Sequence, residues 1–584
     1  MKVFRRIIIT VIALCLGIGS FATYSSLAFA DDSSQSTDTS SSTNTTDNSS
    51  GNTDNSNKDN KSASDNSSGT ADNNDNKNTS DTDNSSLDKD ADTDTKKAKK
   101  PLQTVTDYPM MVKVAGSKNY AVWQNVVKGK PKNKVADGSN FQFNHLQSDE
   151  VIQTKKARYW RIYVDGRQVG YVNEKYFVRN TIAVAKTVTL VRNSTYQFNT
   201  REAISYVTNY MGTAIDKSQV QVSHESILCN YPHTYNVKYT YGSATATVKI
   251  TIRNSTKEGI ADLSSAPGQT GTNDYKTWRE HYGSSVNYVS PTEYSPETEK
   301  HTLTSGDLTL KTRLYQPVVL SVENPNDDNI NRVGHIPEGV TVSDGWAYTS
   351  LLSHTDLMDG HIVGYNLEKL TNPFNAQNLL TMSQTKFNNY VKNIKVSPYI
   401  PIGHGQAMGS TDKYIYVLSN DHATEQPTDS EELIQIRKSD MLINKIWTIK
   451  TWVGDQSAPR YFQNAVITSD HTMYGLYHNK DDKSYEYWEL TRKGDNWYPK
   501  MVGKTNGEFV NNGAPVQGFT YDPDNDNFYI AFNDLIFKID SSGAIKDTYQ
   551  FNTGREIEGI SVSDSQLYVN LAQRAELLVS TKIN

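Results

Sequence analysis

GVTVSDGWAY, residues 339–348, decides how this chain is read. Gly339 opens it, Asp344 follows five residues on, and Tyr348 nine residues on. The same spacing returns at Ala407, Asp412 and Tyr416, at Ala465, Asp470 and Tyr474, and at Gly559, Asp564 and Tyr568. A fifth copy, Gly518 to Tyr529, carries two extra residues within DPDNDN at 522–527. Each copy reads as a small residue opening a strand, an Asp-centred turn, and a second strand closing on Tyr. Successive copies begin 68, 58, 53 and 41 residues apart. That period suits one four-stranded blade, so residues 301–584 are expected to form a five-bladed β-propeller. The preceding stretch LTLKTRLYQPVVLSV, 308–322, is expected to complete the last sheet and close the ring. Closure removes edges that would otherwise invite pairing with other chains.

The residue before each small residue is polar: Glu338, Gln406, Asn464, Gln517 and Glu558. In a propeller the innermost strand starts beside the central channel. Equivalent positions then form a ring of two acids and three amides, a candidate ligand site for a sugar, a cation or ordered water. The alternative is a ring that only hydrates the channel and satisfies buried backbone groups. His335 and His404 fall three and two residues before ring positions and are expected on the same rim. The turn aspartates 344, 412, 470, 524 and 564 read as structural, accepting backbone hydrogen bonds in their own turns. DPDNDN suits a hard cation by its alternating oxygens. It lacks the Gly and distant Glu of a calcium loop, so an expanded turn is the preferred reading.

Working outward, the first 30 residues read as a secretory leader. Lys2, Arg5 and Arg6 precede the apolar stretch Ile7 to Gly19, and Ala28-Phe29-Ala30 offers a small-x-small cleavage site. The apolar stretch is short for a bilayer span, so no transmembrane segment is expected in the mature chain. Cys15 lies within the leader behind Leu14, a poor lipoprotein context, and Cys229 is the other cysteine. No intrachain disulfide is then expected. Residues 31–95 hold fifteen Asp, no Glu and four Lys, a net charge of −11, with Leu87 the one large apolar residue. Such a segment buries too little to offset its ordering entropy, so 31–100, ending in KKAKK, reads as a disordered stalk. The final residues ELLVSTKIN, 576–584, show no LPxTG-type sorting motif. Retention on a cell is therefore expected to need a folded module or a partner.

Residues 101–180 read as a small β-domain. Trp160, Ile162 and Val164 alternate with Tyr159, Arg161 and Tyr163, Asp165-Gly166 is a hairpin signal, and Val169 to Val172 returns. YWRIYVDGRQVGYVNEKYF, 159–177, resembles the GW modules, SH3-like domains of Gram-positive surface proteins. Tyr171 stands where those modules usually carry the Trp of Gly-Trp. The region is also basic: thirteen Lys and Arg against six Asp and Glu give +7, while the whole chain is −6. A local basic excess attracts polyanions. On a bacterial surface these are teichoic acids and on a host surface glycosaminoglycans; nucleic acid is not expected. Lys155, Lys156, Arg158, Arg161 and Arg167 are the candidate contacts, with a solvated, partnerless basic face as the alternative.

Residues 181–254 read as a β-sandwich. TYNVKYTYGSATATVKITI, 234–252, alternates through two strands around Gly242-Ser243 and resembles the closing hairpin of bacterial immunoglobulin-like repeats. Such domains act as rigid spacers. REAISYVTNYMG, 201–212, also has the makings of a short helix. Residues 255–300 lose periodicity and read as a linker.

The propeller resembles the helveticin-J family of large lactobacillus bacteriocins. The pieces that carry this are GHIVGYNLEKL at 360–370, GHGQAM at 403–408, VQGFTYDPDNDNFYIAF at 516–532 and EIEGISV at 556–562. The resemblance implies an antibacterial protein. The residues themselves point to an exported, wall-associated, adhesin-like binding protein with no cofactor and no metal. No nucleophile elbow, zinc-spaced histidines or phosphate loop occurs in the sequence. A five-bladed propeller glycosidase is a further alternative. It would need two carboxyls about 5–10 Å apart across the scissile bond, and Glu338 and Glu558 are the ring's only acids.

Overall fold

The computed structural model describes residues 120–583 except for 142–143, 165, 254–259, 262–277, 280, 282–293, 323–331, 354–357, 420–430, 454–457, 463 and 511–514. The expected leader, the stalk, the start of the basic module, Asp165 of its hairpin and most of the 255–300 linker lie outside the described residues.

Each repeat is the first hairpin of a blade. Blade 1 runs Ile336–Ser343, Trp346–Leu352, Asp359–Asn366 and Ile394–Val396. Blade 2 runs Ala407–Ser410, Tyr414–Ser419, Glu431–Arg437 and Ile443–Ile449. Blade 3 spans Asn464–Ser469 to Asn496–Lys504, and blade 4 spans Gly518–Asp522 to Ile545–Gln550, four strands each. Blade 5 takes Ile557–Ser563, Gln566–Leu571 and Glu576–Lys582 from the end of the chain. Its fourth strand is Leu308–Tyr315, paired antiparallel with 576–582 so that Leu310 faces Ser580 and Tyr315 faces Glu576. The chain's early strand thus closes its last sheet. The inner strands of the five sheets pack in a closed cycle, blade 5 returning to blade 1.

The repeated small residue follows from that cycle. A Cβ on Gly559 would stand 2.9 Å from Glu338 O, and one on Gly518 2.9 Å from the Ile560 side chain. Neighbouring inner strands approach too closely for larger residues here. The repeated Tyr fills the space between blades: Tyr348, Tyr416 and Tyr529 are almost fully buried. The turn aspartates also tie blade to blade. Asp470 accepts from Thr411 Oγ1 (2.7 Å) and Tyr416 Oη (2.9 Å) of blade 2, and Asp524 accepts from Ser565 Oγ (3.0 Å) of blade 5. Asp344 and Asp564 adopt positive φ, 50° and 52°, which Asp tolerates better than most residues. In DPDNDN the Asp522 carboxylate accepts from Asp524 N (3.1 Å) and Asn525 Nδ2 (2.8 Å), so its oxygens serve the turn itself.

The basic module is a five-stranded sheet. Its strands are β1 (Ala121–Val127), β2 (Lys130–Asp137), β3 (Gln147–Gln153), β4 (Arg158–Val164) and β5 (Arg167–Asn173), in the order β2-β1-β5-β4-β3. Gly170, at φ 152°, has Trp123 O only 2.5 Å from where a Cβ would stand, because Tyr171 pairs with Trp123 as β5 meets β1. That explains the glycine of the Gly-aromatic pair. The module seats on the propeller. Phe141 stacks 6.3 Å from Phe387 of helix α1 (Gln384–Val391), and Asn144 Nδ2 donates to Ser321 O (2.5 Å).

The 181–254 region does not stand off as a spacer. Its strand Thr187–Leu190 pairs in parallel with Ala244–Ile252 on one side and with the outer strand of blade 2, Ile443–Ile449, on the other. One eight-stranded sheet therefore runs from the sandwich through blade 2. Ile443 N donates to Ser205 Oγ (3.1 Å) and Arg253 Nη2 donates to Thr448 O (2.9 Å) across the join. One apolar core holds Val188, Ile250, Ile436 and Ile446 together. The physical reason is an edge: the outer strand of blade 2 presents unpaired backbone groups, and the sandwich strand satisfies them. Residues 201–212 form a 3-10 turn, Thr200–Ala203, and then the strand Ile204–Thr208, not a helix. Ile204, Tyr206 and Val207 suit a pleated, buried surface. Among the described residues no helix is long and apolar enough to cross a membrane.

Candidate functional site

The ring positions do converge. Gln406 Nε2 donates to Gln517 Oε1 (2.8 Å) and to Glu558 Oε2 (3.3 Å) across the channel. Gln517 Nε2 donates to Asn533 Oδ1 (2.9 Å), and Asn464 Nδ2 to Val516 O (3.0 Å). Glu338, Asn464 and Glu558 are 4%, 1% and 5% exposed, so the ring is a packed plug and not an open bore. His404 Nε2 lies 3.4 Å from Glu338 Oε2. His335 is half-buried just outside the first strand of blade 1.

A third carboxyl, outside the residues singled out from the sequence, joins these two. Glu556 lies two residues before Glu558, just ahead of the strand Ile557–Ser563 and outside the repeat register, and hydrogen-bonds to Glu558. It is itself held by Gln573 Nε2 (3.1 Å). Its place two residues before Glu558 was the available signal. Burial pushes the Glu338 carboxyl well above the usual carboxylate range, and the Glu556 charge adds to this. Burial does the same to Glu558, followed by the charges of Glu338 and Glu556, against a smaller opposing effect of the Gln406 bond. Burial holds the His404 imidazole down, toward its neutral form. These raised values favour the protonated form of a ring acid, which can donate as well as accept. Glu338 Oε2 and Asn464 Oδ1 are buried and make no hydrogen bond among the described residues, His404 Nε2 standing 3.4 Å from the former.

This gives a pH prediction. A carboxyl whose folded pKa is raised stabilises the fold below the ordinary carboxylate range, and that contribution is lost as pH rises through the folded value. Glu338→Gln and Glu558→Gln remove the ionisation. Each variant should melt close to the parent at acid pH and above it at pH near 8, by about 2–4 °C for each kcal/mol recovered. Melting curves at both pH values check this. An identical difference at the two pH values would show that these carboxyls do not titrate as the fold is stressed.

The basic candidates divide. Lys155 and Lys156 are exposed on the turn between β3 and β4, where Thr154 Oγ1 accepts from Lys156 N (3.2 Å) and Ala157 N (2.9 Å). Arg158 pairs with Glu174 (2.9 Å), which also accepts from Trp160 Nε1 (3.2 Å). Arg161 is gripped by Asp149 (Nε to Oδ1 2.7 Å) and Glu150 (3.3 Å), and its hydrogen bond holds the Asp149 carboxyl below the usual range. Arg167 faces the propeller: it donates to Leu379 O (3.1 Å) and Met382 O and lies 5.1 Å over the Phe387 ring. Three of the five candidates thus spend their charge inside the protein.

Other lysines replace them. Lys128, Lys130 and Lys132 are exposed on the β1–β2 hairpin. A side chain at Gly129 would lie 3.8 Å from Thr154 Cβ, so the two lysine-bearing turns meet at one end of the sheet. The alternation in KGKPKNK, 128–134, was the legible signal for this face. Among the described residues no group of three or more His, Cys, Asp or Glu is placed to hold a metal ion. Burial raises the Cys229 thiol to about 12, which leaves it unreactive.

Comparison with known proteins adds one assignment. Residues 102–178 match the GW (Gly-Tryp) dipeptide domain. A search against curated protein sequences finds no match. Among solved structures, the chain is similar to a gluconolactonase, XC5397, of Xanthomonas campestris, at 8% identity and TM-score 0.25, over 52% of this chain and 99% of that one. It is similar to virginiamycin B lyase from Staphylococcus aureus at 17% identity and TM-score 0.21, over 42% and 70%. It is also similar to the β-propeller domain of Myceliophteria thermophila Cps50 (Swd1) at 13% and 0.23, over 41% and 64%. Scores of this size carry no inference about chemistry. The sheets described above show a predominantly β chain in which a GW module and a second β region, 181–252, are joined to a β-propeller.

Proposed function

We propose that this is an exported, cell-wall-associated binding protein, held to an anionic wall polymer by its GW module and engaging a further ligand through its propeller. The observation that carries this reading is the meeting of two lysine-bearing turns at one end of the module. Lys128, Lys130, Lys155 and Lys156 lie exposed there, while Arg158, Arg161 and Arg167 are paired internally or docked. Teichoic acid, a polyanion with closely spaced phosphates, fits such a face, and a glycosaminoglycan offers the same sign of charge. The channel supports binding over sugar hydrolysis. Glu338 and Glu558 are almost fully buried and Gln406 is bonded to Glu558, so the pair does not flank an open cleft in which a scissile bond could lie.

Binding of the full chain to purified Gram-positive walls should fall roughly tenfold or more between low and high salt, because exposed charges are screened within about 10 Å at 0.1 M and 3 Å at 1 M. Reversing Lys128, Lys130, Lys155 and Lys156 to Glu should weaken low-salt binding at least as much, with the melting point unchanged. Salt-insensitive binding, or full binding by the four-fold variant, would remove the electrostatic account. Walls stripped of teichoic acid, and heparin in place of walls, distinguish the two polyanions.

A further inference from the structure

Blades 1 and 2 part on the side of the turns that join their first and second strands, leaving a cleft of about 490 Å³. That lies within the range of roughly 300–1,000 Å³ common for small-molecule sites. The cleft lies at the turn ends of the strands whose other ends carry Glu338 and Gln406, and it includes none of the ring or GW residues.

Its walls combine aromatic faces with an excess of positive charge. From blade 1 come Trp346, half-buried, and Tyr348, stacked on it at 6.2 Å and 17°. From blade 2 comes Tyr414, also half-buried. Lys395, Lys413, Arg437 and Lys438 face two carboxylates, Asp344 and Asp412. Arg437 is engaged by Asp440 (2.9 Å), which leaves the three lysines as the groups that define the site's charge.

Two of those lysines are fixed in place. Lys438 is buried, and its ammonium donates to Ser343 Oγ (2.7 Å) and Asp344 Oδ2 (3.1 Å) while lying 5.3 Å from the Tyr348 ring. Lys395 Nζ donates to Lys438 O (3.0 Å) and lies 4.7 Å from the Trp346 ring. Burial lowers the pKa of both ammonium groups, and the Lys438 charge lowers that of Lys395 further. Asp344, the carboxylate bonded to Lys438, is itself largely exposed, and Asp412 adds a second negative charge near Lys438. Two cations kept this close at the edge of a cleft are stabilised by an arriving anion. Lys413 stands exposed on the turn beside Tyr414, held there through its backbone carbonyl, which accepts from Lys438 N (2.9 Å). Aromatic faces at both walls suit the C–H faces of a sugar ring, which a simple anion does not use.

We propose that this cleft binds an acidic saccharide, a sugar ring bearing a phosphate or a carboxylate. The ring lies against Trp346 and Tyr414, and the anionic group meets Lys395, Lys413 and Lys438.

Calorimetric titration of the full chain tests this, in a background of Lys155→Glu and Lys156→Glu so that the GW face does not compete. The probes are glucose 1-phosphate, glucuronate, glucose and inorganic phosphate. One or both acidic sugars should bind saturably at one site, at least about tenfold more tightly than glucose or phosphate, since only they use both walls. Which of the two binds identifies the anion. Lys413→Gln should weaken that sugar at least about tenfold with no change in melting point, and Tyr414→Ala should weaken the sugar but not inorganic phosphate. The proposal is overturned if neither acidic sugar saturates, if phosphate alone binds as tightly as the sugar phosphate, or if Lys413→Gln leaves binding intact. Lys395→Gln provides a second reading of the same loss should Tyr414→Ala melt early.

Discussion

A chain ending after Gly554 should show no cooperative unfolding transition and should pellet on expression. The cut removes Ile557–Ser563, Gln566–Leu571 and Glu576–Lys582, three strands of blade 5. Leu308–Tyr315 then keeps only the short strand Thr302–Ser305 as a neighbour. The inner strands of blades 1 and 4 both lose the strand packed between them. Leu310, Leu314, Tyr529 and Ile536, buried in the intact ring, would face water or an open groove. An open array of sheets with fresh edges pairs with other chains sooner than it folds. Differential scanning calorimetry and sedimentation check this. A soluble truncation with a single sharp melt would show that the ring does not depend on its last three strands.

The single substitution with the largest expected effect lies in the same seam. Glu576 is fully buried, and its carboxylate collects Arg555 Nη2, His301 Nδ1 (2.9 Å) and Thr312 Oγ1 (2.6 Å). His301 and Thr312 come from the segment that holds the early strands, and Arg555 and Glu576 from the end of the chain that holds the last blade, so this cluster clasps the ring. Glu576→Ala leaves Arg555 buried without its partner, and breaking a buried pair costs about 3–5 kcal/mol. A fall in melting point on the order of 10 °C follows. The pH profile carries a second signature. Burial pushes the Glu576 carboxyl up, but the His301 bond and the Arg555 charge outweigh it and hold the pKa below the usual range. That contribution exists above the ordinary carboxylate pKa and disappears as pH falls through the folded value. The bond to Glu576 raises the His301 imidazole, whose contribution exists below the ordinary histidine pKa and disappears as pH rises through its folded value. The clasp is strongest between the two, and Glu576→Ala should flatten stability on both sides of that window. An unchanged melting point, or a variant with the parent's full pH profile, would discard this account.

The parts of the fold that were legible in the sequence are those that repeat. Gly339, Gly518 and Gly559 mark where inner strands touch, and only small residues fit there, so the spacing survived as a pattern. The ring followed from position alone, because Gln406, Gln517 and Glu558 each precede such a residue and meet one another. Glu556 escaped because it sits two residues off that register. The basic face was half legible. A composition count shows thirteen cations, but it cannot show that strand register sets Asp149 and Glu150 beside Arg161 or that Arg167 reaches Met382. The aromatic cleft had no local mark at all, since Trp346, Lys395 and Tyr414 come from three strands in two blades. The joined sheet was least legible: TVTL at 187–190 and INKIWTI at 443–449 are ordinary edge strands, and nothing in either names its partner.

That joined sheet also sets a timetable for folding. Val191 and Thr448, bonded across the join, are 257 residues apart, and Thr312 and Glu576 in the clasp are 264 apart. Contacts so distant in the chain form slowly, because the intervening segment must be ordered first. As the polypeptide emerges, the sandwich completes its hairpin at 233–252 early but keeps one strand edge open. That edge waits until blade 2 arrives, and the early strand at 308–315 waits longer, for the last residues of blade 5. Both waiting edges are exposed β-structure. A chain that emerges slowly, or crosses a membrane unfolded, must carry them unpaired throughout the passage, so the vulnerable interval in this protein's life is set by its two longest-range strand pairings.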